Sequence, residues 1–283
     1  MKETTPEAES WAATGAHSAG ADPVLPVVPV RHPASRVVYL KERNLKMMKN
    51  DLILRNPLRA MGFESEDILP AGGFGAVLAR AGVGKTAFLV QLAINALLRG
   101  KNVLHVSLSD PVRKVTLWYE EVFSVLSRQY GMAQSDHLWE SLLPHRFIMT
   151  FKAERFNVAT LEERMTDLME QAIFLPQVVI IDGFEMAPSN LAALSDLKSL
   201  AETHAMRVWF TVRTHRHPEN GAGAAQLPVD SIRHLFEVLI QLQPEGKLIH
   251  VRSLETEADG TTTTPLVLDP ATLMIVEPQP AES

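Results

Sequence analysis

The sequence predicts an α/β protein: a mainly parallel, twisted sheet flanked by helices, with antiparallel strands along its C-terminal edge. Three observations predict it. Between residues 74 and 212, short apolar runs alternate with longer segments of helical period. The run Val-Val-Ile-Ile at 178–181 is apolar without a break, as a strand buried on both faces must be. A glycine-bearing turn, ARAGVGKT at 79–86, joins one strand-like run to one helix-like run.

Taken in order, residues 1–35 are rich in Ala, Glu, Ser, Thr, Gly and Pro, with Pro23, Pro26, Pro29 and Pro33 closely spaced. That composition predicts a disordered or extended tail, available for docking a protein partner. Residues 36–64 form a helical arm carrying Leu40, Leu45, Met47, Leu52, Leu54 and Leu58, interrupted at Pro57. The arm packs on a neighbouring subunit or lies as a lid on its own. A single domain follows at 65–278. Its first strand is 74–78 and its first helix 85–99, apolar nearly all round and so buried, with Gly100 placed for a left-handed C-terminal cap. Then come a strand at 102–108, helices at 112–130 and 137–143, a short strand at 147–151 and a helix at 160–174. A strand at 177–181, a helix at 190–204 and a strand at 207–212 complete the alternation. Beyond a Gly/Ala-rich loop, 237–242, 248–254 and a pair within 265–276 read as antiparallel strands.

Composition narrows the chemistry. The chain has no cysteine, so disulfides, thiolate nucleophiles and cysteine-based zinc sites are excluded. A formal net charge of −6 argues against a generally basic surface that coats nucleic acid, though not against a local basic patch. No apolar run approaches the ~18 residues of a membrane span. The run PVLPVVPV at 23–30 is too short and too proline-broken for a secretion signal, so the expected location is cytoplasmic. With 283 residues the chain can bury about 75% of its unfolded surface and needs no covalent staples.

The turn at 79–86 carries the strongest chemical signal. A glycine-rich turn ending in Gly-Lys-Thr, between a strand and a helix, presents backbone N–H groups and a helix N-terminus to a phosphate. The residues that would line a nucleotide's phosphates are Ala79, Arg80, Ala81, Gly82, Val83, Gly84, Lys85, Thr86 and Ala87. Lys85 would reach the β- and γ-phosphates, and the Thr86 hydroxyl would ligate Mg2+. Ala79 stands where the pattern has its first glycine, which matters only if that residue needs a positive φ. Asp182 follows the apolar run 178–181 directly, at the strand end where open α/β sheets bind ligands. It is the acid expected to hold Mg2+, directly or through water.

These pieces together resemble the RecA-like branch of P-loop ATPases, particularly the KaiC-like and DnaB-type ring ATPases. The block LPAGGFGAVLARAGVGKTAFLVQLAINALLRGKNVLHVSL is similar to the family's first strand, phosphate loop, helix and second strand. VVIIDGFE at 178–185 resembles its Walker B segment, VLIQLQPEGKLIHVRSLETEADG its C-terminal hairpin, and PLVLDPATLMIV its closing strands. The resemblance covers about residues 65–276. It implies a RecA-like P-loop NTPase core, ATP and Mg2+ as cofactors, and homo-oligomers, often hexameric rings, with active sites between subunits.

The chain departs from that family at one catalytic position. The family's water-orienting Glu follows the second strand, where this chain reads SLSDP, with Ser109 in its place and Asp110 beside it. Serine is no carboxylate base and Asp is one methylene shorter, so Asp110 is the candidate base and Glu185 a second choice. The alternative for Asp110 is a plain N-cap before Pro111. At the end of the strand 207–212 the family senses the γ-phosphate, and here Arg213, Thr214 and His215 occupy the area, with Arg213 the candidate. Arg252, in His250-x-Arg252, falls where related rings carry an arginine finger acting on the neighbour's nucleotide. An exposed strand arginine explains it equally well. The loop 215–228 resembles one that faces single strands in related proteins, and Arg213 and Arg216 would suit phosphate contacts. It lacks any aromatic stacking residue, which favours a plain surface loop. The functions in view are an oligomeric ATPase acting on nucleic acid or protein, or a nucleotide-bound regulator with little turnover.

Overall fold

The computed structural model describes residues 46–54, 59, 61, 68–129, 131, 135–214, 232–254, 266–272 and 274–276. The tail 1–35 and the loop 215–228 named above lie outside them, as does most of the remaining arm. Within the arm, 46–54 is helical. Leu52, 5% exposed, joins the apolar core there, and the Asn95 side-chain amide donates to the Ile53 carbonyl at 3.3 Å.

The apolar runs become strands and the periodic segments helices. In chain order these are β1 (Phe74–Ala79), α1 (Lys85–Leu98), β2 (Val103–Ser107), α2 (Val112–Gln129), α3 (Ser135–Leu142), β3 (Arg146–Thr150) and α4 (Val158–Glu170). They continue as β4 (Val178–Asp182), α5 (Leu191–Thr203), β5 (Arg207–Arg213), β6 (Val238–Glu245), β7 (Leu248–Ser253), β8 (Leu266–Leu268) and β9 (Ile275–Val276). Among the described residues all the strands join one nine-stranded sheet in the order β3-β2-β4-β5-β1-β6-β7-β8-β9. Strands β1 to β5 pair in parallel, and β6 to β9 pair antiparallel with one another.

One strand runs against expectation. β6 lies parallel to β1, with Gly75 opposite Val238 and Leu78 opposite Gln241, and turns antiparallel only toward β7. The 24 residues between β5 and β6 (213 to 238) are long enough for the crossover that a parallel return requires. The helix predicted over 160–174 instead starts at Val158, because the Asn157 side chain accepts from the Thr160 N–H at 2.7 Å and caps it there.

Alternation along each strand divides the core between the two faces. Val77 and Ala79 of β1 join α1, α2 and α3 on one face, while Phe74, Ala76 and Leu78 join α4 and α5 on the other. α1 buries Phe88, Leu89, Val90, Ile94 and Leu97 at 1% exposure or less, which is why its sequence is apolar all round. On the opposite face Phe74, Phe210, Phe236, Phe184 and Phe156 meet in edge-on or tilted pairs with ring centres 5.0 to 6.1 Å apart. Gly75 faces Trp209 across the β1–β5 pair, and a Cβ at that position would stand 2.6 Å from the indole ring. Only glycine admits this approach.

Candidate functional site

Every strand from β1 to β5 ends at the same edge of the sheet, and the candidate residues gather there. Ala79 is the last residue of β1, fully buried and in register with Arg213 of β5. It has an ordinary strand conformation rather than a positive φ, so alanine serves where the pattern has glycine. The chain then turns through Gly82 at φ +76 and Gly84 at φ +98, conformations that favour glycine. Arg80 is half-buried, and Ala81 and Gly82 are exposed, so the turn opens outward.

α1 begins directly after Gly84. No side chain caps its first turn and no acidic residue stands in it; the Gly84 carbonyl accepts from the Phe88 N–H at 2.9 Å. The N–H groups of the first helical turn have no partner within a helix, so those of Lys85, Thr86 and Ala87 suit an anion. Burial lowers the proton affinity of Lys85; the Asp182 charge opposes that shift and the Arg213 charge adds to it. Its ammonium donates to the carbonyls of Ala79 at 3.0 Å and Arg80 at 2.9 Å.

Asp182 closes β4 at 5% exposure. Its Oδ2 accepts from the Thr86 hydroxyl at 2.9 Å and its Oδ1 from the Thr211 hydroxyl at 2.7 Å. Burial raises its pKa, while the hydrogen bonds from Thr211 and Thr86 pull it back toward the charged form. β4 and β1 are separated by β5, about 10 Å in all, and the turn and start of α1 carry the Thr86 hydroxyl across to Asp182. One hydroxyl and one carboxylate are too few for an all-protein cage. They fit Mg2+, which keeps several waters and shares a ligand's phosphate oxygens. Among the described residues no cluster of three or more His, Asp or Glu side chains offers a different metal site.

The remaining candidates spread outward from this centre. Ser109 is exposed beyond β2 and lies against Gly183, whose Cβ position would be 3.3 Å from its Oγ. Asp110 is near enough to Asp182 for its charge to act there, but its carboxylate accepts from Lys114 at 2.9 Å. Its backbone N–H donates to the Ser107 hydroxyl at 2.9 Å. Glu185 is exposed, and its carbonyl accepts from the Asn190 side chain at 2.9 Å. Arg213 is exposed at the end of β5 beside the turn, where the Thr214 N–H donates to the Ala79 carbonyl at 3.0 Å. Arg252 sits on β7, opposite Gln241 of β6, two strands from β1. Its guanidinium is held by Glu245 at 3.1 Å, which also faces His250 at 3.6 Å. His215 and Arg216 lie outside the described residues.

Thr211 belongs to the site although its sequence context does not mark it as a ligand-binding residue. What the sequence does carry is a lone hydroxyl inside the buried run Val-Trp-Phe-Thr-Val of β5. Such a group needs partners, and here it has two, Asp182 and the Gly183 N–H at 2.9 Å.

Residues 63–206 match the family model of the AAA domain. No curated protein matches the chain. The matched segment is half of the 283 residues and takes in the turn, α1 and Asp182. With that match added to an α/β sheet ending in a phosphate-type turn, the chain belongs to the AAA domain family and is a nucleotide-binding P-loop protein.

Proposed function

We propose that this protein is a RecA-like, oligomeric ATPase that binds ATP with Mg2+ and couples nucleotide state to action on a protein or nucleic-acid partner. The observation that carries the reading is the 2.9 Å hydrogen bond between Thr86 and Asp182, 96 residues apart in sequence. It joins the phosphate turn to an acid on another strand, as a metal–phosphate site requires. In this reading the backbone of residues 79–87 cradles the phosphates. Lys85 leaves its two carbonyls to pair with the β- and γ-phosphates, and Arg213 senses the γ-phosphate. Thr86 and Asp182 hold Mg2+, which when bound supplies charge neutralisation between phosphate oxygens. Arg252, released from Glu245, serves a neighbour's nucleotide as an arginine finger. Asp110, released from Lys114, orients water. The KaiC-like or DnaB-type branch is supported by the hairpin β6–β7 beside β1. The tail 1–35 offers a docking segment, the arm 36–64 a packing element, and 65–278 the ATP-binding domain.

A second reading has its own support. Ser109 stands at the catalytic carboxylate's place and the nearest acid is paired with Lys114 at 2.9 Å, which favours a nucleotide-bound regulator with slow turnover. Binding of a fluorescent ATP analogue and ATP turnover, each measured beside Lys85→Ala, test both. Loss of at least tenfold in affinity in Lys85→Ala is expected under either reading. Turnover above that variant, raised by single-stranded DNA or a protein partner, identifies the ATPase. Binding without turnover identifies the regulator, and equal binding by the two proteins defeats both.

A further inference from the structure

We propose that Thr211 is a positioning residue for the metal half of this site: it fixes the Asp182 carboxylate in the orientation that a divalent cation needs. The inference rests on the ATP·Mg2+ reading above and adds a residue to it.

Three features of β5 and β4 carry it. A threonine hydroxyl has one proton and two lone pairs. At Thr211 the proton goes to Asp182 Oδ1 at 2.7 Å and a lone pair accepts the Gly183 N–H at 2.9 Å. One side chain therefore grips both the Asp182 carboxylate and the backbone immediately after it, which removes the carboxylate's freedom to rotate. Oδ2 is left facing Thr86, whose proton it accepts, so the Thr86 oxygen keeps its lone pairs for another partner. Thr211 is itself immobile: it is 4% exposed, branched at Cβ, and held within a strand paired on both sides.

Orientation matters because Mg2+ demands near-octahedral geometry and tolerates misaligned oxygens poorly. Groups that orient a ligand without touching the metal typically change metal affinity by about 10- to 100-fold when removed. A purely structural hydroxyl would affect folding and leave metal dependence alone. The two roles are therefore separable by measurement.

The test uses the full chain and a fluorescent ATP analogue, titrated in EDTA and then across a Mg2+ series. Thr211→Val keeps the shape and removes the hydroxyl; Thr211→Ser keeps the hydroxyl. The expected result is a Mg2+ midpoint raised about 10- to 100-fold in Thr211→Val, with affinity in EDTA within about twofold of wild type and Thr211→Ser close to wild type. An unchanged midpoint in Thr211→Val, beside a wild type that shows a clear Mg2+ effect, overturns the role of Thr211 alone. A wild type that binds no nucleotide overturns the underlying reading as well. Should circular dichroism show Thr211→Val unfolded, Thr211→Cys takes its place, since a thiol is similar in volume but donates weakly. A wild-type midpoint in that variant counts against the proposal in the same way.

Discussion

Lys85 is satisfied by two backbone carbonyls of its own turn, so an arriving phosphate must displace them. The exchange is favourable because a phosphate brings a full opposite charge to an ammonium that otherwise meets only carbonyl dipoles. Burial makes the ammonium easier to deprotonate, and the Asp182 charge holds it protonated. A neighbouring residue raises a different question. Ala79 departs from the glycine pattern, and the sequence alone leaves open whether that matters. Its strand conformation answers it, since no left-handed residue is needed at that place. Ala79→Gly should lower stability by about 0.5–1 kcal/mol, through the greater freedom of glycine in the unfolded chain. Nucleotide affinity should stay within about twofold. Urea unfolding and the analogue titration read the two quantities separately, and a gain in affinity would mean the alanine does impair the turn.

At the scale of elements, β2 and α2 are joined by a buried polar contact. His105, wholly buried in β2, lies with its Nδ1 3.2 Å from the Tyr119 hydroxyl of α2, and burial is the main cause that pushes its pKa down from 6.5 to about 3. The folded protein therefore keeps this imidazole neutral where the unfolded chain takes up a proton. Stability is full above about pH 6.5 and falls as pH drops toward 3. The expected loss from this residue is about 2 kcal/mol between pH 6.5 and about 5. Urea unfolding at both pH values should show that loss in wild type and a flatter response in His105→Gln. Elements of this kind were legible to different degrees. β4 and α1 announce themselves by unbroken apolar runs, because burial on both sides admits little else. The direction of β6 was not legible, since an alternating run pairs either way and only the crossover behind it decides. Thr211 went unread for a related reason: its role exists only across β4 and β5, and no spacing along the chain records it.

For the whole molecule, the strands β6 to β9 carry the sheet well past β1 and place Arg252 on the far side of the phosphate turn. If that arginine serves another subunit, defects in the two halves of the site should complement. An equimolar mixture of Lys85→Ala and Arg252→Ala chains is expected to hydrolyse ATP faster than either alone, because some interfaces receive an intact turn and an intact finger. Turnover in the mixture no higher than the average of the two would remove Arg252 from the neighbour's site. Within one copy, the ends of β1 and β5 meet at Ala79 and Arg213, and the contact between Gly75 and Trp209 bears on that alignment. The indole occupies the space a side chain would take at position 75, so a two-residue slide that brought it opposite Val77 would drive it into that side chain. That pair works as a notch: it sets the stagger of β1 against β5, and with it the level at which Ala79 meets Arg213 and the phosphate turn begins.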